Sequence, residues 1–304
     1  MIKYLKHNEI NKQKWDDCIS QSFNSIIYAY SWYLDIVCKE WEALVKDDYK
    51  TVMPLTASKK YGFHYLYPPF FTQQLGVFST SILNENIVKI FIEAIPSKFK
   101  FFEINLNLFN KFNSSGYQVK SNITCELDLI DSYENIFRKY SENTKRNIKK
   151  AITNDLTIEK EIDIEKIINL FRKNKGKDIT NLQNHHYHTL AYLVKSCQDR
   201  GKSIILGIQT KEKQLCAGAI FIADKSKVIF LFSATNDEAK SNGAMSFLID
   251  HFIKENSQRN IILDFEGSND PDLARFYKSF GSKECTYLQV KINQLPWYIR
   301  WLKK

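Results

Sequence analysis

The chain has 304 residues, and its 43 basic and 34 acidic side chains give a formal net charge of +9. With 44% hydrophobic and 25% charged residues, its composition is that of a folded globular protein and excludes a disordered or fibrous chain. It contains no run of about 18 apolar residues, which excludes a membrane-spanning helix, and its amino-terminal segment lacks the apolar core of a signal peptide. We therefore expect a cytoplasmic protein with about two domains.

The first portion of the chain predicts mixed α and β structure. Helical spacing of apolar residues occurs near 12–20, 29–39 and 84–95. Strand-like runs occur at WEALV, YKTVMPL, FHYLY, FFEINL and ITCELDL. The predicted order is two helices, a meander of strands, one more helix and two more strands.

A long basic helix is predicted from about Asp131 to Thr153. Asp131 followed by Glu134 resembles a capping box. One narrow arc of this helix carries Tyr133, Phe137, Tyr140, Thr144, Ile148 and Ile152, and the opposite side carries Lys145, Arg146, Lys149 and Lys150. At about 1.5 Å per residue the helix would span on the order of 30 Å, enough to join two domains. An amphipathic connector with a solvated basic face is the simplest interpretation.

The second portion repeats the order of the first. Helices are predicted near 162–174, near 185–199, from about Ser241 and over DLARFYKSF, and strands over SIILGIQ, LCAGAIFIA, VIFLFSA, NIILDFE and TYLQVKI. No repeat is visible at the level of residues, but the parallel order predicts two copies of one α/β unit. We expect an N-terminal domain over 1–129, a linking helix over 130–154 and a C-terminal domain over 155–304.

The spacing of cysteines and glycines excludes several classes of enzyme. The six cysteines are scattered without a CxxC pair, which argues against zinc-ribbon and thioredoxin-like sites. The closest two glycines are Gly201 and Gly207, so neither GxGxxG nor GxxxxGK[ST] occurs. GxSxG and HExxH are also absent. We therefore expect neither a Rossmann dinucleotide site nor a P-loop.

Charge is unevenly distributed along the chain. Residues 1–128 carry 14 basic and 13 acidic groups, whereas residues 129–304 carry 29 basic and 21 acidic groups. A basic half is typical of proteins that bind a nucleotide-bearing cofactor, a nucleic acid or an anionic surface. A lysine-rich surface that serves only solubility would give the same pattern.

The segment from Val228 to Phe252 is the best candidate for ligand chemistry. A strand is predicted to end near Ala234, after which Ser241, Asn242, Gly243 and Ala244 open an amphipathic helix. Free amides at a helix start bind phosphate, and small residues allow its close approach. An ordinary Ser/Asn helix cap explains the same residues.

The residues that follow carry a family resemblance. After a strand and an acidic turn comes a short helix that ends in Phe276-Tyr277-Lys278-Ser279-Phe280-Gly281, and then a last strand. This order is similar to that of the GNAT acyltransferase superfamily. YSENTKRNIKKA (140–151) and DFEGS (264–268) resemble more specifically its Fem-type branch, which has two tandem GNAT domains and includes peptidoglycan aminoacyltransferases. The resemblance implies two α/β (α+β) domains, each with a mixed, mostly antiparallel central sheet flanked by helices, joined by the basic helix.

The resemblance also implies a donor site in the C-terminal domain. In the superfamily, the fourth strand contacts the pantetheine arm of acyl-CoA and the following loop binds the pyrophosphate. On this sequence the arm would contact Phe232, Ser233 and Ala234, and the pyrophosphate would contact Lys240, Ser241, Asn242, Gly243, Ala244 and Met245. Lys240 stands where the family has Gln or Arg, and Met245 where it has a small residue.

Three residues are candidate catalytic groups. Tyr277 stands where GNAT enzymes often have a tyrosine that protonates the leaving thiolate, and a phenol of pKa near 10 holds its proton at neutral pH. An aromatic anchor for the short helix explains Tyr277 equally well. Asp264 and Glu266, at the end of the preceding strand, could deprotonate an amine, although turn and cap roles explain them too.

The tract HYLYPPFFTQQLG (64–76) predicts a surface for an acceptor. Tyr67, Phe71, Gln73 and Gln74 offer stacking and amide hydrogen bonds. A strand edge interrupted by two prolines is the simpler alternative. On the basic helix, Lys145, Arg146 and Lys149 are further candidates for substrate binding.

Two other features have simple explanations. His185, His186 and His188 lack an accompanying carboxylate or cysteine motif, so we predict a helix start there and no metal site. The carboxy-terminal LPWYIRWLKK, with Trp297 and Trp301, would suit an anionic membrane surface. A last helix after Pro296 is the simpler interpretation.

Together these features predict an N-acyltransferase that moves an acyl or aminoacyl group to a small-molecule or peptide amine. No cysteine or serine motif offers a covalent nucleophile, so we expect direct attack by the amine. Acyl-CoA is the expected co-substrate, with no permanently bound cofactor and no DNA partner.

Two alternatives stay open. The first is a Fem-type aminoacyltransferase of peptidoglycan precursors, because aminoacyl-tRNA as donor would explain the basic residues of the linking helix. The chain lacks a sustained heptad segment like the coiled-coil arm of some Fem enzymes, which favours acyl-CoA. The second is a non-catalytic double-GNAT protein that binds an anionic ligand.

Overall fold

The computed structural model describes residues 1–60 and 62–300. The strands in chain order are β1 (Ile2–Leu5), β2 (Glu42–Lys46), β3 (Thr51–Leu55), β4 (Ala57–Lys60), β5 (Phe63–Leu66), β6 (Phe78–Ser79), β7 (Phe99–Asn105), β8 (Gln118–Asp128), β9 (Thr157–Lys160), β10 (Ser203–Gln209), β11 (Leu215–Asp224), β12 (Lys227–Thr235), β13 (Ile262–Asp264) and β14 (Lys283–Asn293). The helices are α1 (Lys12–Gln21), α2 (Ser31–Val37), α3 (Glu85–Glu93), α4 (Tyr133–Arg138), α5 (Glu142–Thr153), α6 (Ile164–Lys173), α7 (Asn184–Gln198), α8 (Asp237–Asn242), α9 (Ala244–Asn256), α10 (Pro271–Lys278) and α11 (Trp297–Arg300). In the part of the chain so described, no helix has both the length and the apolar character needed to cross a membrane.

The chain forms two compact units. The first contains residues 1–123 and the residues from Thr286 onward, and the second contains residues 124–285. The segment 130–154, predicted to link two domains, therefore belongs to the second unit. The last strand, predicted in the C-terminal domain, lies mostly in the first unit. Strands β8 and β14 each begin in one unit and end in the other.

The first unit contains two sheets. Strands β1, β2, β3 and β6 form an antiparallel sheet. Strands β4, β5, β7 and the second half of β14 form a mixed sheet in which β5 and β7 run parallel. The side chain of Asn84 accepts a hydrogen bond from Ile87 N at 3.0 Å and begins α3, whose apolar face enters the core. One central sheet was predicted here, and the structure has two.

The second unit is built on one mixed, mostly antiparallel sheet, as predicted. Its strand order is β8–β13–β12–β11–β10–β9, with β12 and β13 parallel and the other neighbours antiparallel. Helix α9 packs Phe252 on Phe221, with stacked rings 4.0 Å apart. Helix α6 packs Ile167 against Gly218, where a Cβ would lie only 2.7 Å from the isoleucine. Because successive residues of a strand face opposite sides, these contacts place helices on both faces of the sheet.

The predicted long basic helix is wrong, because the segment forms the two helices α4 and α5. Ser141 has extended backbone, and its side chain accepts a hydrogen bond from Thr144 N at 3.2 Å, which begins α5. The Ser141 amide donates to Ser279 O at 2.8 Å. Helix α4 begins after Ser132 rather than at Asp131. A serine that caps one helix and bonds a distant carbonyl thus interrupts an otherwise helical pattern.

The two short helices pack into the second unit. Of the six residues on the predicted apolar arc, Tyr140, Thr144 and Ile148 are buried, and Ile136, outside that arc, also lies in the core. Ile152, predicted on the same arc, lies near the end of α5 and is 59% exposed. The segment is therefore a packed element and not a connector.

Candidate active site

Strands β12 and β13 separate at one end of the second unit's sheet. Their parallel register stops where Ile229 faces Asp264, and β13 ends there, whereas β12 continues to Thr235. A bulge places Leu231 between the residues that face Phe221 and Ile220 of β11. The carboxyl ends of such strands are where ligands bind in α/β sheets. We call residues 230–235, the turn 265–268 and Tyr277 the strand-end site.

Glu266 follows β13 in a strained turn. The φ angles of Glu266 and Gly267 are 50° and 55°, so two successive residues adopt the left-handed conformation. For a residue with a Cβ this conformation costs about 1 to 2 kcal/mol. The Glu266 amide donates to Asp264 Oδ1 at 3.1 Å, and Ser268 Oγ donates to Glu266 O at 2.7 Å. Backbone strain that the surroundings enforce in this way is frequent at functional sites.

The Glu266 carboxyl group has no counter-charge. Its Oε1 atom is shielded from solvent and has no hydrogen-bond partner among the described residues. Because burial disfavours the charged form, it raises the pKa of Glu266 to about 8. This carboxyl therefore exchanges its proton near neutral pH, as a general base must.

Tyr277 lies on α10 beside this turn. Its ring stacks on Phe265 at 4.8 Å and meets Phe230 edge-on at 6.0 Å, so it anchors α10 to the sheet. A Cβ on Gly267 would lie 3.9 Å from the Tyr277 hydroxyl oxygen, which puts that hydroxyl at the turn. Burial and, to a smaller extent, the charge of Glu266 raise the pKa of Tyr277 above its ordinary value. The hydroxyl consequently keeps its proton at neutral pH.

Asp264 is held by three partners. It is 1% exposed, and its carboxylate accepts hydrogen bonds from Thr124 Oγ1 at 2.5 Å, from Lys227 Nζ at 3.2 Å and from the Glu266 amide. Lys227 also donates to Glu126. Burial lowers the pKa of Lys227, but the two carboxylates raise it by more, and the net shift is upward. The Asp264 carboxylate thus fixes the position of the Glu266 amide, and its role as a base stays a prediction.

The predicted phosphate loop contains a short helix. Asn236 accepts a hydrogen bond from Ala239 N at 2.8 Å and begins α8, and Ser241 and Asn242 end that helix. The prediction that Ser241 opens the next helix is wrong, since α9 begins at Ala244. Lys240 forms an exposed ion pair with Asp237 at 2.9 Å. The first turn of α8 carries two acidic residues, Asp237 and Glu238.

Gly243 is required by packing. Its φ angle is 81°, and a Cβ there would lie 2.2 Å from the carbonyl oxygen of Asn147 on α5. A side chain at residue 243 would meet the backbone of α5, which gives Gly243 a packing role, and its contact with a phosphate stays a prediction. The first amide of α9, that of Ala244, already donates to Asn242 Oδ1 at 3.0 Å. Met245 is half-buried at the start of the same helix.

The predicted donor-arm residues lie on β12. Phe232 is half-buried and packs on Phe171 of α6, with ring centroids 4.7 Å apart. Ser233 is half-buried, and Ala234 is buried. Their contact with a donor stays a prediction.

The predicted acceptor residues lie in the first unit. Tyr67 is 45% exposed, whereas Gln74 is 1% exposed and donates to the Gln73 side chain at 2.9 Å. Phe71 has a φ angle of 63°, and its carbonyl accepts a hydrogen bond from Tyr33. Gln73 lines a cavity of about 10 Å³, which is the size of one water molecule. Gln74 is therefore a structural residue, and acceptor binding by the others stays a prediction.

The basic residues of the former linking helix lie on α5. Arg146, Lys149 and Lys150 are exposed, and Lys145 forms an ion pair with Glu142 at 2.9 Å. They form one basic surface opposite the buried side of α5.

The simple explanations of the two remaining features are confirmed at the level of secondary structure. Helix α7 begins at Asn184, and His186 Nδ1 accepts a hydrogen bond from Gln183 N at 2.9 Å. Over residues 1–60 and 62–300 no group of three His, Cys, Asp or Glu side chains is arranged to hold a metal ion. Trp297 begins α11 and is 84% exposed, whereas Trp301 lies outside the described residues.

Sequence reasoning missed Lys227, Glu126 and Thr124. The available signal was a charged residue in or next to each of two mostly apolar segments. Glu126 lies within ITCELDL, and Lys227 directly precedes VIFLFSA. A charge in such a run is buried with a partner more often than alone.

Comparison with solved structures shows the same fold over almost the whole chain. The structure of FemX aligns with a TM-score of 0.63 at 11% identity, and the alignment covers 94% of this chain and 96% of that one. The chain has the Fem-type fold. The resemblance found in the motifs is confirmed at the level of fold. No family model and no curated protein sequence matches the chain.

Two further structures share this Fem-type fold. A conserved protein of unknown function from Bacteroides thetaiotaomicron aligns with a TM-score of 0.59 at 10% identity, over 96% of this chain and 100% of that one. The C-terminal domain of a proposed lysylphosphatidylglycerol synthetase from Agrobacterium fabrum aligns with a TM-score of 0.53 at 9% identity, over 96% and 94%. At such identities the likeness concerns the fold alone.

Proposed function

We propose that the protein transfers an acyl or aminoacyl group from an activated donor to an amine, with Glu266 as general base. The observation that carries this proposal is the strained Glu266 turn at the strand-end site. There the carboxyl oxygen Oε1 is shielded from solvent and has no hydrogen-bond partner among the described residues, and burial raises the pKa of Glu266 to about 8. The Fem-type fold supports a transferase, and one structure with this fold is named as a proposed lysylphosphatidylglycerol synthetase.

In the proposed reaction the amine attacks the donor carbonyl directly. A C–N bond forms, and the bond from the carbonyl carbon to sulfur or oxygen of the donor breaks. Glu266 accepts the proton of the attacking amine, and Tyr277 donates a proton to the leaving thiolate or alkoxide. Asp264 and Lys227 act through the turn, because the Asp264 carboxylate fixes the Glu266 amide. A proton transfer of this kind typically contributes about 10² to 10⁴ in rate.

We propose aminoacyl-tRNA as the donor, with acyl-CoA as the alternative. Packing of Gly243 against the Asn147 carbonyl explains this glycine without a pyrophosphate. The acids Asp237 and Glu238 at the start of α8 repel phosphate, whereas phosphate binding favours an unmasked helix start. The exposed basic surface of α5 suits a polyanion.

The test measures transfer to a broad panel of amines from two donors, a mixed pool of charged tRNA and a panel of acyl-CoA thioesters. We expect turnover with charged tRNA, with a rate that rises with pH through a pKa of about 8. Glu266→Gln should lower the rate by about 10² to 10⁴ and remove this dependence, while donor affinity is unchanged. Tyr277→Phe keeps the ring stacking and should lower the rate without lowering the melting temperature.

The matched control is Asp272→Asn, an acid on the same α10 helix whose side chain is 84% exposed. It should leave the rate unchanged. Turnover with acyl-CoA alone would contradict the proposed donor. No turnover of the wild type with either donor would favour the non-catalytic alternative.

A further inference from the structure

A cavity of about 630 Å³ lies in the second unit against β10 and α9, and none of the residues that line it belongs to the strand-end site. Its wall includes Ser203 of β10, which pairs with Ile222 near the end of β11. That end of β11 adjoins the beginning of β12, since Asp224 faces Lys227. The strand-end site lies where β12 ends. The cavity is therefore a separate site, and its volume is within the range of small-molecule sites, about 300 to 1,000 Å³.

Four charged side chains line this cavity, two of each sign. They are Lys160, Arg259, Glu161 and Glu255. Lys160 and Glu255 form an ion pair at 3.2 Å. Arg259 donates to the neutral Asn256 Oδ1 at 2.8 Å, and neither Arg259 nor Glu161 forms an ion pair with any residue that the structure describes. One cation and one anion of the wall are thus left for a ligand.

The remainder of the wall combines polar and apolar groups. Ser203 Oγ and His251 Nε2 are buried without a hydrogen-bond partner in the described part of the chain. Ile205 and Phe252 are buried and add apolar surface. Glu161 has a φ angle of 57°, which is a strained conformation for a residue with a side chain.

We infer that this cavity binds a small zwitterion with one carboxylate and one ammonium group, that is, a free amino acid or a short peptide. The planar guanidinium of Arg259 suits a carboxylate, with which it can form two parallel hydrogen bonds. The carboxylate of Glu161 suits the ammonium group, and the apolar surface suits a side chain. A wall whose formal charges sum to zero disfavours a nucleotide or another polyanion. This inference does not depend on the reaction at the strand-end site.

The test uses the full chain and about twenty free L-amino acids together with L-alanyl-L-alanine, each at ~10 mM. A ligand that binds only the folded state raises the melting temperature. We expect at least one of these compounds to do so, and its carboxamide and N-acetyl derivatives to have no effect. Stabilisation by none of them, or equal stabilisation by the two derivatives, overturns the inference.

Two variants locate the ligand. Arg259→Gln and Glu161→Gln change exposed side chains, so both proteins should fold, and each should weaken binding measured by calorimetry at least about tenfold. Arg275→Gln, at an arginine 79% exposed on α10, is the control and should bind as the wild type does. Binding that survives either Arg259→Gln or Glu161→Gln overturns the inference, whatever the outcome of the transfer assay.

Discussion

Lys227 lies beside the strand-end site, and its charge is buried together with the carboxylates of Glu126 and Asp264 that it neutralises. Its side chain is 18% exposed and lies between the carboxylates of Glu126 and Asp264, which are 15% and 1% exposed. Desolvation of such a group is costly, so the three residues gain little stability compared with apolar side chains of the same size. Their arrangement instead fixes the turn that holds Glu266.

Lys227→Met is predicted to destabilise the protein by about 3 to 5 kcal/mol, because it leaves two buried carboxylates without a counter-charge. Chemical denaturation at pH 7 measures this loss. Lys240→Met removes an exposed ion pair and serves as the control, with an expected change of at most about 1 kcal/mol. Equal stability of the Lys227 and Lys240 variants would contradict the argument.

The sequence identifies Asp264 and Glu266 as candidate acids at the end of β13, but it does not show which of the two carboxylates has hydrogen-bond partners. Asp264 is saturated by Thr124 and Lys227, which are 140 and 37 residues away along the chain. Glu266, two residues later, has no partner for its Oε1 among the described residues. Only tertiary contacts distinguish two carboxylates with the same local sequence pattern.

At the scale of elements, the junction of α8 and α9 is set by its contact with α5. Gly243 ends one helix and precedes the next in the left-handed conformation, and the Asn147 carbonyl lies where its Cβ would be. The small residues that resembled a phosphate loop are thus needed for the close approach of two helices.

Gly243→Ala is predicted to be clearly more destabilising than the same change at Gly201. Both glycines have a positive φ angle, 81° and 64°, and share the strain of about 1 to 2 kcal/mol for a left-handed alanine. Around Gly201 nothing lies within 4 Å of the new Cβ, whereas at Gly243 the backbone oxygen of Asn147 lies at 2.2 Å. The free energy of unfolding of the two variants should differ by about 1 kcal/mol or more. Equal free energies of unfolding would show that α5 shifts to accommodate the added methyl group.

Long periodic elements are predictable from this sequence, and short or tertiary-defined ones are not. Strands such as β10, β11 and β12 and helices such as α7 have enough apolar residues for a clear pattern. Strands β1, β4, β6 and β9 have four residues or fewer and lie outside the predicted runs. The break at Ser141 depends on the Ser279 carbonyl, which no local pattern indicates.

At the scale of the whole molecule, the chain order does not match the division into units. Strands β8 and β14 each begin in one unit and end in the other, and no local sequence pattern marks the residue at which the unit changes. The structure of FemX has the same fold at 11% identity, and hydrophobic cores tolerate extensive substitution when their volume and patterning are kept. The two family motifs contain two features of the candidate site. The motif 264–268 includes the strained turn, and the motif 140–151 includes the basic surface of α5.

The last prediction concerns the basic surface of α5 as a contact for tRNA. Replacement of Lys145, Arg146, Lys149 and Lys150 by Gln should weaken tRNA binding and lower the slope of log K against log salt. Each lost phosphate contact contributes about 0.7 to 0.9 to that slope, so the change should be about 3. The buried side of α5, with Thr144, Ile148 and Ala151, is untouched, so the melting temperature should stay the same.

The control for this prediction replaces an equal number of exposed lysines elsewhere in the second unit, namely Lys166, Lys195, Lys211 and Lys213. Both variants have the same net charge, so a general loss of attraction to a polyanion weakens tRNA binding by the two equally. A larger effect of the α5 variant shows a specific contact, because only released counterions at the contact enter the slope. Equal slopes for the two variants would leave α5 as a packed helix with a solvated face and would remove the main support for aminoacyl-tRNA as the donor.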